Sequence, residues 1–150
     1  QTCALPIYRL NPVEAGEGAL EHALRELAAG QPHGSADGGA LRCTVERLPD
    51  APAAGPRSDS ALEHHLFRMA RHWVQAAGER GARHLRMQVR RLPLELVIED
   101  DGASDAGRGA MALRIIAFRC RVLDLALESG PRADGQPGMR LRIAARVSAA

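Results

Sequence analysis

At 150 residues the chain is long enough for one domain that buries its own core without disulfide or metal support. Aromatic residues are only 3%, and the 20 basic residues, all arginine, are interspersed with 18 acidic ones. The chain therefore lacks both the stacking platforms and the single-sign field of a nucleic-acid or membrane binder. Three widely spaced cysteines, Cys3, Cys43 and Cys120, fit a reducing compartment rather than a disulfide framework, and no apolar run reaches bilayer length, so the cytoplasm is the expected location.

Residues 1–7, QTCALPI, match one translated frame of a common sequencing adapter and are set aside as foreign to the fold, which leaves residues 8–150 as the domain. From Ala15 to Gly30, Leu20, Leu24 and Leu27 line one face of a helix that stops at Gly30. After a Gly-, Pro- and Ser-rich loop, ALRCTVERL reads as a strand through Val45. The segment from Ser60 to Ala77 puts Leu62, Leu66, Met69, Trp73 and Ala77 on one face of a long helix, with Ser58, Asp59 or Ser60 as its cap. Leu85, Met87 and Val89, then Leu94, Leu96 and Ile98, alternate about a Leu92-Pro93 turn, which predicts an antiparallel hairpin with one buried face and Arg86, Arg90 and Arg91 on the wet one. A Gly- and Asp-rich loop from Asp100 to Gly109 leads to a third helix carrying Leu113, Ile116, Cys120 and Leu123 on a shared face. Two closing strands, LALES and MRLRIAARV, complete the order α, β, α, β, β, α, β, β. That order predicts an α+β two-layer sandwich with a mixed, mostly antiparallel sheet and helices on one face.

Four segments in this order resemble the ATP-binding domain of bacterial sensor histidine kinases, particularly the subfamily related to nitrate sensors. LNPVEAGEGALEHALRELA resembles the entry segment and HLFRMARHWVQAA the helix with the catalytic Glu and magnesium-binding Asn. VIEDDGAS is similar to the adenine-binding strand end, and ALRIIAFRCRV to the helix after the ATP lid. The similarity runs from Leu10 to Val147 and implies the Bergerat fold shared with gyrase-like ATPases.

The resemblance implies that Asp100 accepts a hydrogen bond from the adenine amino group and that Gly102 admits the base, with Ser104 in place of a second glycine. Gly107 and Gly109 can offer backbone amides to phosphates, or belong simply to a flexible loop. His72 stands where the family has its catalytic Glu, and Ala76 where it has the Asn that holds Mg2+; a one-residue shift would put Arg71 and Gln75 there instead. Neither register supplies the Glu. Ala112 replaces the glycine that opens the helix after the lid, Asp124 and Leu125 replace a Gly-Gly pair, and Met139 replaces a Thr.

The implied function is that of a degenerate two-component kinase domain, with weak ATP binding, doubtful Mg2+ binding and little or no phosphotransfer. Its implied partners are the dimerisation and phosphoacceptor helices of a homodimeric parent, which could itself be membrane-anchored, and a LuxR-type response regulator. No nucleic acid and no membrane contact are expected of this part. Two alternatives remain open: an active kinase domain in which His72 serves as base, and a protein- or nucleic-acid-binding module with no ATP role. His64, His65 and His72 lack a metal-ligand spacing and read as solvated or packed side chains, Trp73 as core, and Cys120 as a buried structural thiol.

Overall fold

The computed structural model describes residues 18–30, 40–51, 60–104, 107 and 109–146. Three helices, α1 (Ala19–Ala29), α2 (Ser60–Glu79) and α3 (Ala110–Val122), accompany five strands: β1 (Arg42–Arg47), β2 (His84–Arg91), β3 (Leu94–Asp100), β4 (Leu125–Pro131) and β5 (Met139–Ala145). The strands form one sheet in the order β1-β2-β3-β5-β4. Only the β1–β2 pair is parallel. This is the α+β two-layer architecture that the element order predicts. Among the described residues no helix is long and apolar enough to cross a membrane.

Alternation sets the two faces of the sheet. Leu85, Met87 and Val89 of β2, Leu94, Leu96 and Ile98 of β3, and Leu141 and Ile143 of β5 point to one side and are buried. Against them pack Leu20, Leu24 and Leu27 of α1, Leu66, Met69, Trp73 and Ala77 of α2, and Ile116 and Cys120 of α3. The helical faces are those expected from the apolar periodicity. The first helix ends at Gly30, whose N–H donates to Glu26 O. The first strand runs two residues beyond Val45, to Arg47, because Val45 and Arg47 continue the pairing with Met87 and Val89. Of the expected caps of α2, Ser58 and Asp59 lie outside the described residues, as do residues 1–7.

Two expectations about the hairpin need correction. Strand β3 is buried along its whole length, on both faces. It lies at the centre of the sheet, and its outward carboxylates are roofed by arginines from its neighbours. Glu95 receives Arg90 at 2.8 Å and Arg142 at 2.9 Å, and Glu99 receives Arg86 at 3.1 Å. The stems of these arginines cover the strand while their heads reach the carboxylates. Arg91, moreover, does not share the outer face with Arg86 and Arg90. It is an odd-numbered position of β2, on the side of Leu85 and Val89, and its guanidinium meets the buried Glu63 of α2 at 2.9 Å.

Candidate functional site

The last residue of β3 sits on the helix side of the sheet, in register with Leu85 of β2 and Met139 of β5. That residue is Asp100, only 1% exposed. A carboxylate so placed needs donors, and three converge on it. Arg80 Nη2 donates to Oδ2 at 2.7 Å, Trp73 Nε1 donates to the same oxygen at 3.0 Å, and the Gly102 N–H donates to Oδ1 at 3.0 Å.

Helix α2 supplies Trp73 and the turn that continues it supplies Arg80, whose N–H still donates to Ala76 O, so that positions 73, 77 and 80 come to one side. Trp73 is the aromatic centre of the core, and Arg80 follows the final residue of the helix. The guanidinium carbon lies 5.1 Å from the centroid of the indole ring, a cation–π approach. Arg80 also ties down the start of the next loop: its Nη1 donates to Ala103 O at 3.1 Å, and its own carbonyl accepts from Ala103 N at 3.1 Å. Its Nε is buried without a hydrogen-bond partner.

The glycines around Asp100 are shaped by this arginine. A Cβ on Gly102 would come within 3.1 Å of Arg80 Nη1 and Asp100 Oδ1, and one on Gly109 within 3.4 Å of Arg80 Cδ and Nε. From the loop just before β5 Gly138, at φ +139°, brings its backbone so close that a Cβ would overlap the Asp100 carbonyl. Met139 follows it directly in register with Asp100.

Of the residues singled out in the sequence, the structure therefore gathers Asp100, Gly102, Gly109 and Met139 into one place. Gly107 and Ser104 are exposed, and residues 105, 106 and 108 lie outside the described set. Trp73 belongs to the core as expected, yet its N–H is also part of the site. Ala76 is buried at 4% exposure and has no ligand atom, while Gln75 is exposed and donates weakly to Glu79 at 3.4 Å. His72 is half-buried on another side of α2; desolvation, then the charges of Arg119 on α3 and Arg71, hold its pKa below the ordinary value. Neither candidate pair, His72 with Ala76 or Arg71 with Gln75, contributes a hydrogen bond to Asp100. Arg80 is the member that sequence reasoning missed. Its one signal is a long cation between the end of an apolar helical face and Gly81, where a solvated side chain is the default.

Asp101 has a different task. Burial tends to raise its pKa, but the His84 N–H at 2.9 Å, the His84 ring at 2.9 Å and the Arg83 N–H at 2.7 Å outweigh this and hold the carboxyl below its usual value. It clasps the start of β2 to the end of β3.

An adenine amino group needs an acceptor oxygen with open space before it. At Asp100 the Oδ2 atom is taken by Arg80 and Trp73, and the carboxylate and guanidinium are both withdrawn from solvent. In this arrangement the residues present do not fit an adenine, and position 76 does not fit a magnesium ligand.

No family model matches the chain, and no curated protein matches it. Among solved structures it is similar to the cytoplasmic segment of the histidine kinase QseC, with a TM-score of 0.53 and 11% sequence identity over 87% of this chain and 70% of that one. At this identity the likeness is one of fold: the chain has a histidine-kinase-like α+β fold.

Proposed function

We propose that this is a degenerate kinase-like domain whose adenine position is filled by its own side chains, and which acts by docking within a sensor assembly rather than by phosphotransfer. The observation that carries the reading is the buried Arg80–Asp100 pair, with the arginine donating to the oxygen that would otherwise receive the base. The buried Ala76, which has no ligand atom, supports it further. By the sequence resemblance, the assembly would be a homodimeric, nitrate-sensor-like two-component kinase, whose dimerisation helices hold the phosphoacceptor and whose output is a LuxR-type regulator. Titration calorimetry with ATP and Mg2+ tests the reading: heats at the level of the buffer blank are expected, and submicromolar, magnesium-dependent binding would overturn it.

One observation favours an active kinase as second reading. The lowered pKa of His72 favours the neutral imidazole, the form in which a histidine can serve as base. For that reading, autophosphorylation of a longer protein carrying the phosphoacceptor must be present and must be lost in His72→Ala but retained in the exposed control Arg25→Ala on α1.

A further inference from the structure

Helix α3 is apolar on two sides, and the described residues cover only one of them. Ala112, Ile116 and Cys120 face the core. On the other side Met111, Phe118 and Val122 stand 63%, 66% and 67% exposed, the large apolar side chains that remain exposed among the described residues. With Ile115 they occur at intervals of four, three and four residues, the spacing of successive d, a, d and a positions of a coiled-coil heptad. The flanking positions of that seam are Ala112 at the first e, which is buried, and then Arg114, Arg119 and Arg121 at g, e and g. Beside the seam runs a groove of about 550 Å³, lined by Ile115, Phe118 and Val122, by Arg114 and Arg119, and by His65 of α2.

We infer that this face binds an amphipathic helix with leucine-like side chains at a and d and acidic residues at e and g. The spacing argues for a helix, because knobs at 3.5-residue intervals fit the holes of another helix. Charge argues for an acidic one. Helix α3 carries three arginines and no acid, and none of Arg114, Arg119 and Arg121 has an ion-pair partner among the described residues. Further cations, Arg68 and Arg71, lie on α2 beside this face. The same charges disfavour a second copy of α3, which would set arginine against arginine along both flanks. The inference stands on this face alone and does not depend on whether nucleotide binds at Asp100.

The full chain is titrated into a fluorescein-labelled three-heptad peptide with Leu at a and d and Glu at e and g, and binding is read by anisotropy. A twin peptide carries Lys in place of Glu. The Glu peptide is expected to bind saturably and the Lys peptide at least ten-fold more weakly. Phe118→Glu should weaken the Glu peptide at least ten-fold while leaving the circular dichroism and melting temperature unchanged, since the side chain is exposed. If that variant misfolds, Phe118→Ser serves the same purpose. Arg114→Glu/Arg119→Glu should reverse the preference in favour of the Lys peptide. Equal binding of the two peptides, indifference to both substitutions at Phe118, or binding of phosphatidylglycerol vesicles in place of the peptide would each overturn the inference.

Discussion

Arg80 Nη2 and Asp100 Oδ2 are 2.7 Å apart with neither side chain open to solvent, so each is the other's charge partner. A pair like this is costly to desolvate and far more costly to halve. Arg80→Met strands the carboxylate and is expected to lower stability by about 3–5 kcal/mol. Adding Asp100→Leu removes the stranded charge and should recover part of that loss. Urea denaturation of the two variants checks this; a near-neutral Arg80→Met would mean that water already reaches the pair.

Trp73 is the only tryptophan in the chain and donates directly to Asp100. Its fluorescence therefore reports on the site without labelling. Emission is expected to be blue-shifted and poorly quenched by acrylamide, and to stay unchanged on addition of ATP and Mg2+. Trp73→Phe keeps most of the ring but removes the donor, with an expected loss of about 1–3 kcal/mol. An ATP-dependent spectral change would place the nucleotide beside Asp100 and contradict the filled-site reading.

Gly138 combines φ +139° with the closest backbone approach around Asp100. Gly138→Ala requires the strand to retreat from the Asp100 carbonyl and is expected to cost about 1–3 kcal/mol. Gly130, beside whose Cβ position there is open space within 4 Å, is the control. Equal melting temperatures for the two alanine variants would show that the loop before β5 relaxes freely.

Part of the acid sensitivity should trace to His72, with His64 acting in the same direction. Desolvation together with Arg119 and Arg71 depresses its pKa below 6.5 in the folded state. Below 6.5 and above that depressed value, the unfolded chain binds more protons, so stability rises with pH across the interval and falls on acidification. The urea midpoint is expected to drop between pH 7.5 and 5.5, and His72→Gln to flatten that slope. Parallel slopes for parent and variant would remove His72 as the cause.

The layers of this fold were legible because period and burial coincide. Leu20, Leu24 and Leu27 recur at helical spacing, Leu85, Met87 and Val89 at strand spacing, and both sets lie in the core. Strand β3 was less legible, since Glu95 and Glu99 alternate with its leucines as solvated residues do. Part of the cover of Glu95 comes from Arg142, 47 residues further along, a relation that no local pattern contains. The candidate site divides in the same way. Asp100 and Gly102 follow an apolar strand and were readable as a site; Arg80 reaches them only after the chain has turned from α2 into β2. Position 76 was readable as lacking a ligand because alanine has none in any fold.

The glutamates on the outer side of β3 act as a proofreader of strand alignment. A slip of one residue would swing Glu95 and Glu99 toward Trp73 and Ile116 and leave Arg86, Arg90 and Arg142 facing leucines. Such a misregistered sheet would be penalised on both faces at once, by charge in the oil and by orphaned cations outside. The central strand thus encodes its register in two chemically opposite alphabets, and the correct pairing is the one in which both are read.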